Sequence, residues 1–330
     1  MINIAQIGVG YWGPNLLRNL MVIPDCNVKV VVDLSEERRN FVNNLYNSIP
    51  TNNDIDIALN DPDIDAIVIA TPAHSHFAIA MKALQKDKHI LVEKPMATSV
   101  EEVEEIGKLA EEKGLVAMVG HTFLYNSAVR YVKKLIDSRV LGDIRYIYSQ
   151  RVNLGRIRSD VDALWNFAPH DISIIQYWLD EAEPIHITKK GIDYVQKGID
   201  DVVFMNIEYP DKILAHIHVS WLDPHKIRRM TVVGTKKMVV YDDISKDKIT
   251  IYDKGIDRIA ALGENMVFDD PKTFSFLHRD GEVEKPEIEW VEPLKTEIEH
   301  FIDCIQHGTP CFSDANHAKN VVKILEMDFE

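Results

Sequence analysis

Three short segments of the sequence combine residue types that can support chemistry. The segment Gly8-Val9-Gly10-Tyr11-Trp12-Gly13 has the pattern GxGxxG, which brings free backbone amides close to an anionic group. Glu93-Lys94-Pro95 offers an ammonium that can polarise an oxygen or, if burial lowers its pKa, accept a proton. Pro169-His170-Asp171 offers an imidazole that can act as a general base. The elements that carry these segments decide what they can do.

Buried strands alternate with helices in the first part of the chain. Short apolar runs rich in Val and Ile are typical of strands that are covered on both faces, and we predict such strands at 2–7, 28–33, 64–70, 88–92 and 115–119. Helical spacing predicts helices at 12–22, 35–46, 75–86 and 98–112. Thr98 or Ser99 can cap the last of these, and Gly114 stands just past its end. This order predicts an α/β protein whose residues 1–122 form an N-terminal Rossmann domain with a doubly wound parallel sheet.

The pattern changes after about residue 122. A helix at 126–138 and a strand at 144–152 precede strand-like stretches at 185–192, 201–208, 213–220, 227–233 and 236–242. Residues 254–286 have no period and are predicted to be loop, and two helices are predicted at 293–307 and 313–327. We therefore predict that residues 123–330 form a C-terminal α+β domain on a mainly antiparallel sheet, which binds substrate and mediates oligomerisation. One face of that sheet is free for a homodimer or homotetramer.

The glycine-rich segment follows a predicted strand and opens a predicted helix, which is the context that dinucleotide binding requires. Gly8 permits the tight turn, Gly10 lets the backbone approach a pyrophosphate, and Gly13 allows close packing. Glycines that merely mark a turn are the alternative. Asp33 ends the second strand at the interval expected for an acid that accepts ribose hydroxyls, so the sequence predicts a dinucleotide site.

Asp33 favours NAD over NADP, because its carboxylate repels a 2′-phosphate. Arg38 and Arg39 follow directly and can soften that preference, or they are simply solvated helix residues. Thr71 and Pro72 end the next strand at the carboxyl edge of the sheet, where ligands bind in this architecture, although a plain turn explains them as well. Glu93 and Lys94 end a further strand at the same edge.

The glycine-rich segment, Ala70-Thr71-Pro72 and Glu93-Lys94-Pro95, in this order, resemble the Gfo/Idh/MocA family of NAD(P)-dependent sugar and polyol oxidoreductases. The resemblance spans essentially the whole chain, including the change to an antiparallel second domain. It implies that Lys94 lies near the nicotinamide and the reacting carbinol. A second family motif is an acid, three residues and a histidine, often followed by Asp, and it stands here as Asn166 to Asp171.

This resemblance implies that hydride passes between a carbinol carbon and the nicotinamide. Lys94 polarises the hydroxyl oxygen and His170 takes its proton, or the two roles are exchanged. Asn166 departs from the family pattern, which has an acid at this position. An amide can hydrogen-bond a hydroxyl but cannot take its proton. Pro169 suits the first turn of a helix, where the dipole keeps His170 neutral. The alternatives are that His170 is a hydrogen-bonded structural residue and that Asp171 only interacts favourably with the helix dipole.

The resemblance also implies that Tyr125 and Asn126 face the substrate, although Asn126 can equally cap a helix. Arg151, Arg156 and Arg158 form a local basic loop in an acidic chain, which indicates a substrate phosphate unless they are solvated or ion-paired. The stretch 159–171 is similar to the family branch of UDP-sugar 3-dehydrogenases and 3-ketoreductases. It implies a nucleotide-linked sugar, such as UDP-N-acetylglucosamine or its uronic acid, that reacts at C3.

Two other functions are compatible with the sequence. One is a free-sugar or inositol dehydrogenase, which needs no phosphate-binding arginines. The other is a sensor that binds NAD(P) and catalyses nothing. The presence of both Lys94 and His170 favours an enzyme over the sensor.

Composition excludes several other classes. The formal charge of −15, from 52 acidic and 37 basic side chains without a basic stripe, argues against nucleic acid as a partner. Cys26, Cys304 and Cys311 are an odd number at unrelated spacings, and the pairs His74/His76 and His216/His218 lack a third ligand by spacing, so we predict no disulfide framework and no metal. We find no signal-peptide pattern and no membrane span, so we expect a soluble cytoplasmic protein.

Overall fold

The computed structural model describes residues 1–159, 161–260 and 274–327. Within this part the chain divides into two compact units. The first comprises Met1–Asn126, Ile172–Tyr177 and Trp290–Met327, and the second comprises Ser127–Asp171 and Trp178–Glu289. The predicted boundary at residue 122 stays a prediction.

A parallel six-stranded sheet forms the centre of the first unit. Its strands lie in the order β3-β2-β1-β4-β5-β6, and the change of direction at β1 is that of a doubly wound dinucleotide-binding sheet. The strands are β1 (Ile2–Ile7), β2 (Cys26–Val32), β3 (Thr51–Asn52), β4 (Ala66–Ile69), β5 (His89–Glu93) and β6 (Ala117–Gly120). The predicted Rossmann architecture is confirmed.

Helices connect these strands, as the sequence predicts. They are α1 (Gly13–Leu20), α2 (Glu36–Leu45), the short α3 (Asp56–Leu59), α4 (His76–Gln85) and α5 (Val100–Lys113). The side chain of Ser99 accepts a hydrogen bond from the amide of Glu102, and Gly114 closes the helix with φ 65°. Both ends of α5 therefore follow from local side-chain and backbone preferences.

The last two helices pack into the core of the first unit. They are α8 (Pro293–His307) and α9 (Ala315–Glu326). From α8, Leu294, Ile298 and Phe301 are buried in the same apolar cluster as Ile4 of β1 and Leu16 of α1. Burial of this apolar face is the main force that holds α8 in place.

An eight-stranded sheet forms the second unit, in the order β14-β13-β12-β11-β7-β10-β9-β8. Only the pairing of β7 with β10 is parallel among the described neighbours, so the predicted mainly antiparallel sheet is confirmed. The strands are β7 (Ile144–Leu154), β8 (His186–Ile192), β9 (Val202–Tyr209), β10 (Ile213–Ser220), β11 (Leu222–Gly234), β12 (Met238–Asp242), β13 (Ile249–Ala260) and β14 (Phe274–Glu284). Helix α6 (Ser127–Asp137) precedes β7, and helix α7 (Ala163–Trp178) follows it.

The prediction of a loop at 254–286 is wrong for most of that range. Strands β13 and β14 pair antiparallel there, and residues 261–273 lie outside the described part of the chain. Charge pairs help to join the two strands, since Arg279 bonds Asp253 at 2.9 Å and Asp257 at 2.6 Å. Such cross-strand ion pairs stabilise a hairpin without the apolar alternation by which strands are recognised in a sequence.

None of the helices in the described part of the chain has the length and the apolar character needed to cross a bilayer.

Candidate active site

The glycine-rich turn has the shape that a dinucleotide requires. Gly8 has φ +94°, and a Cβ there would lie 2.6 Å from the carbonyl oxygen of Ala70. A Cβ on Gly13 would lie 2.5 Å from the carbonyl oxygen of Gly8. Gly10 has no heavy atom within 4 Å of its Cβ position, so open space lies beside its backbone. These are the three separate requirements for a tight turn, close helix packing and approach by a pyrophosphate.

The N-terminus of α1 keeps its amides available. No side chain caps this helix, whereas Ser35 caps α2 and Ser99 caps α5. Tyr11 is 85% exposed beside the turn, and Trp12 is 40% exposed. The uncapped helix end offers hydrogen-bond donors and a positive dipole to phosphate groups.

Asp33 follows β2 and faces the glycine-rich turn. Its Oδ2 accepts a hydrogen bond from the amide of Val9 at 2.7 Å, and its Oδ1 accepts one from the amide of Ser35 at 2.8 Å. A carboxylate has about four acceptor positions, so capacity for ribose hydroxyls remains. Arg39 donates to the carbonyl oxygens of Asp33 and Leu34 at 2.7 and 2.9 Å, which places a guanidinium beside the segment that follows β2.

Glu93, at the end of β5, links the glycine-rich turn to Lys94. The side chain of Trp12 hydrogen-bonds its carboxylate, and the amide of Lys94 donates to Oε2 at 3.3 Å. Burial raises the pKa of Glu93 to about 7, although the positive charge of Lys94 opposes this shift. A Cβ on Gly120 would lie 3.3 Å from the Glu93 carboxyl, so this glycine leaves room for the acid. Glu93 therefore changes protonation near neutral pH beside Lys94.

A second buried acid, Glu297 of α8, stands close enough to interact with Glu93. Its side chain is fully buried, and the hydroxyl of Thr122 donates to Oε2 at 2.9 Å. Burial raises the pKa of Glu297 well above the ordinary value, and the charge of Glu93 raises it further. Two acids in one buried region cannot easily both be ionised, so the protonated form of Glu297 is favoured.

Two buried histidines also belong to this part of the first unit. Burial lowers the pKa of His121 well below its usual value, and the charges of His317 and Lys94 act in the same direction. His76 has Nδ1 2.8 Å from the carbonyl oxygen of Pro95 and Nε2 2.8 Å from that of Thr71. It therefore ties the segment after β4 to the segment after β5, the two places where the sequence predicts cofactor contacts. Thr71 is partly exposed at this edge, and Pro72 is exposed.

In the second unit, His170 lies inside α7, and the prediction that Pro169 lies in the first turn of this helix is wrong. The helix starts at Ala163, and the carboxylate of Asp162 accepts a hydrogen bond from the amide of Trp165 at 2.8 Å. Pro169 is an interior residue of the helix. The helix dipole therefore gives no argument for a neutral His170.

The same helix explains the spacing of the histidine motif. Asn166 and His170 are four residues apart in α7, which places them one turn apart on one face. Both side chains are partly exposed. An acid at the first position of the motif would stand beside the imidazole, and here an amide takes its place.

Arg151 and Asp171, which the sequence predicts to contact the substrate, bind each other, and their contact with the substrate stays a prediction. Arg151 Nε donates to Asp171 Oδ2 at 2.9 Å, and Nη2 donates to Oδ1 at 3.0 Å. Both residues are buried. Arg156 and Arg158, by contrast, are exposed in the segment that follows β7. The basic loop of the sequence thus separates into one structural arginine and two surface arginines.

Tyr125 and Asn126, the other predicted substrate residues, are also buried. The hydroxyl of Tyr125 lies 2.9 Å from that of Ser313, and only 1% of the residue is exposed. Asn126 is 8% exposed and immediately precedes α6. The Tyr125 hydroxyl thus has a partner within the first unit, and the substrate roles of Tyr125 and Asn126 stay predictions.

Family models match both parts of the chain. Residues 2–121 match the oxidoreductase family with an NAD-binding Rossmann fold, and residues 129–240 match the C-terminal domain of the same family. Together the two spans cover more than half of the 330 residues. The chain belongs to the Gfo/Idh/MocA family. As a member of this family it is an NAD(P)-dependent oxidoreductase that acts on CH–OH groups.

Relatives within the Gfo/Idh/MocA family differ in what they act on. The chain is 26% identical to the 2,7-anhydro-N-acetylneuraminate hydratase of Escherichia coli, over 73% of this chain and 68% of that protein. It is 26% identical to the UDP-N-acetylglucosamine 3-dehydrogenase of Acidithiobacillus ferrooxidans, over 79% and 76%. It is 25% identical to the NAD(+)-dependent scyllo-inositol 2-dehydrogenase of Bacillus subtilis, over 97% and 91%.

A solved structure of the Acidithiobacillus ferrooxidans enzyme shares the Gfo/Idh/MocA fold of this chain. The TM-score is 0.81 at 22% identity, and the match covers 98% of this chain and 95% of that one.

Sequence reasoning missed Glu297, His121, His76 and the contact of Trp12 with Glu93. One signal for Glu297 was available. This acid lies between Leu294 and Ile298 on the buried face of α8, where an ionised side chain is costly unless it is paired or protonated. The others depend on contacts between segments that are distant in sequence.

Proposed function

We propose that the chain transfers a hydride between NAD and a secondary hydroxyl at C3 of a nucleotide-linked sugar, such as UDP-N-acetylglucosamine or its uronic acid. The observation that carries the substrate class is the exposure of Arg156 and Arg158, because a diphosphate needs guanidinium donors that a free polyol does not. The relative that is named as a UDP-N-acetylglucosamine 3-dehydrogenase supports the same choice.

The preference for NAD rests on Asp33. Its carboxylate stands beside the amide of Val9, where a ribose hydroxyl can be accepted and a 2′-phosphate is repelled. Arg39 does not reverse this preference, because its guanidinium already donates to the carbonyl oxygens of Asp33 and Leu34.

The reaction needs one group that polarises the hydroxyl oxygen and one that takes the hydroxyl proton. When bound, the nicotinamide supplies the hydride acceptor or donor. Lys94 polarises the hydroxyl oxygen, and His170 takes the proton that leaves it. Asn166, one turn before His170, can hydrogen-bond the sugar or the imidazole but cannot exchange a proton. Glu93 adds a carboxyl with a pKa of about 7 beside Lys94.

We further propose that the chain forms a homodimer or homotetramer through the outer face of the second sheet. Leu214 of β10 lies opposite Tyr146 of β7, and Phe204 of β9 stacks on His218 with the ring centroids 4.4 Å apart. Tyr146, Phe204 and Leu214 are each more than 40% exposed. Such an apolar patch favours association. Sedimentation velocity of the wild type and of Phe204→Glu tests this, and a wild type that sediments as a monomer would contradict it.

A substrate panel tests the proposed reaction. The purified chain is mixed with NAD or NADP and with UDP-sugars, dTDP-sugars, free hexoses, inositols or 2,7-anhydro-N-acetylneuraminate, and nicotinamide absorbance is followed. We expect turnover with NAD and a UDP-sugar. Replacing Arg156 and Arg158 together with Ala should raise KM for the nucleotide sugar and leave NAD binding unchanged.

The double variant Arg139→Ala/Arg145→Ala is the matched control, because it removes the same charge from exposed positions elsewhere in the second unit. Turnover of free hexoses or inositols, with no activity on any nucleotide sugar, would replace the proposal by a free-sugar or inositol dehydrogenase. Tight NAD binding without turnover of any compound would indicate a sensor.

A further inference from the structure

One cluster of metal-binding side chains in the first unit has no part in the reaction described above. His300 and Cys304 are four residues apart on α8, so they lie on the same helix face. Cys311 follows the end of that helix at Gly308 and folds back toward it. The ligand atoms of the three residues all lie within 4.8 Å of one another, and His300 Nε2 is 3.4 Å from Cys304 Sγ.

We propose that His300, Cys304 and Cys311 form a binding site for a thiophilic divalent cation, best matched by Zn²⁺. Zinc is bound by thiolates at about 2.3 Å and by imidazole at about 2.0–2.1 Å in tetrahedral geometry, which puts neighbouring ligand atoms roughly 3.5–3.8 Å apart. The three donors therefore need only small movements to reach a common ion.

Backbone amides contact two of the three donors. The backbone amide of Ser313 donates to the sulfur of Cys311. The amide of Phe312 donates to Nε2 of His300 at 3.2 Å, so this nitrogen is the unprotonated one and carries a lone pair. The cation takes that lone pair in place of the amide.

Packing holds the imidazole in position. Its ring stacks on Phe312 with centroids 4.5 Å apart and planes 12° apart, and the ring of Tyr125 lies 5.5 Å away on a tilted plane. Cys304 is 4% exposed, whereas His300 and Cys311 are partly exposed. Solvent therefore has access to a fourth coordination position, which a water molecule can fill.

The cation would connect the end of α8 to the segment that leads into α9. Helix α8 ends at Gly308 with φ 69°, and the chain returns through Thr309-Pro310 to Cys311. A bound ion stabilises the folded state by mass action, because the unfolded chain does not hold the three donors together. No metal is predicted from the sequence, because Cys26, Cys304 and Cys311 stand at unrelated spacings. The site depends on the helix and on the return of the chain.

A disulfide between Cys304 and Cys311 is the competing use of the same sulfurs. It would leave His300 without a role, and all three donors converge in this structure, so the cation is favoured. The two uses give different products, which the experiment separates.

Cobalt titration tests the proposal on the full-length chain, first stripped with a chelator and reduced with a phosphine. We expect one equivalent of Co²⁺ to give a thiolate-to-cobalt charge-transfer band and strong visible bands of tetrahedral geometry, both abolished by Zn²⁺. Loss of a residue that hydrogen-bonds to a metal ligand costs about 10–100-fold in metal affinity. Loss of a ligand itself should cost more, so Cys304→Ser or Cys311→Ser should weaken Co²⁺ binding by at least about a hundredfold. Cys26→Ser is the matched control and should bind like the wild type.

Thermal unfolding of the wild-type chain gives a test that needs no variant. Added Zn²⁺ should raise Tm relative to chelator, and Co²⁺ and Zn²⁺ binding should not depend on NAD. The proposal is overturned if the wild type gives the same cobalt spectrum as the Cys304→Ser/Cys311→Ser double variant, or if Zn²⁺ leaves Tm unchanged. It is equally overturned if mass spectrometry finds a Cys304–Cys311 disulfide and no metal in chain purified without reductant or chelator.

Discussion

The guanidinium of Arg151 donates two hydrogen bonds to the carboxylate of Asp171, one from Nε at 2.9 Å and one from Nη2 at 3.0 Å. The side chains are only 6% and 2% exposed. Asp171 stands next to His170 in α7, so this pair fixes the backbone of the histidine motif to β7 within the second unit. The sequence predicts that both residues bind the substrate, and the structure shows that each also has the other as a hydrogen-bond partner.

Replacing Arg151 with Ala should lower the free energy of unfolding by about 3–5 kcal/mol, because the change leaves an unpaired carboxylate in a buried place. Urea unfolding followed by circular dichroism measures this. Arg229→Ala is the control, since Arg229 pairs with Asp242 at the surface and its loss should cost less than about 1 kcal/mol. A variant with wild-type stability and a raised KM for the sugar would return Arg151 to the substrate site.

Replacing Asp33 with Ser should narrow the preference for NAD over NADP by at least about tenfold, or ~1.4 kcal/mol. The carboxylate that repels a 2′-phosphate is removed, and NAD affinity falls as well because the amides of Val9 and Ser35 lose an ionised acceptor. Fluorescence titration with both reduced cofactors gives the ratio, and Asp25→Ser is an exposed control. A wild type that prefers NADP tenfold would remove Asp33 from this role.

Glu297→Gln should flatten the pH dependence of stability. Burial raises the pKa of Glu297 above its ordinary value of 4.5, so the folded state binds the proton more tightly than the unfolded state does. This contribution is full below about pH 4.5 and is lost as pH rises through the folded pKa. Tm measured from about pH 5 to 9 should therefore fall less in Glu297→Gln than in the wild type. Glu299→Gln on the exposed face of α8 should behave like the wild type, and an unchanged slope in Glu297→Gln would show that Glu297 is already ionised.

Lys94→Ala and His170→Ala should each lower kcat by at least about a hundredfold, the low end for a lost acid–base group. Dinucleotide affinity should change little, because the glycine-rich turn and Asp33 remain. Lys82→Ala and His225→Ala are the corresponding controls. Near-normal turnover in either active-site variant would remove that residue from the mechanism.

The first unit was largely predictable because its strands are continuous apolar runs and its helices carry local signals, such as Ser99 and Gly114 at the ends of α5. The hairpin of β13 and β14 was not predictable, because charge pairs at Arg279 replace the apolar alternation. The start of α7 was misplaced because Pro169 was given the role of a first-turn residue, although Asp162 is the better signal.

In the candidate site, too, some residues could be placed from the sequence and others could not. Gly8, Gly13 and Asp33 act through backbone geometry that a short motif determines, so their places follow from spacing. Arg151, Tyr125 and Glu297 depend on partners that are 20 or more residues away, and no local pattern indicates those partners.

Transfer of a deuterium label tests the central claim most directly. UDP-N-acetylglucosamine that carries deuterium at C3 is incubated with the chain and NAD, the protein is denatured, and the released nicotinamide is examined by mass spectrometry. The proposed reaction predicts that the deuterium moves to the nicotinamide while the sugar becomes a C3 ketone. Deuterium that stays on the sugar, under conditions where the same preparation reduces NAD with a free hexose or an inositol, would contradict the proposal.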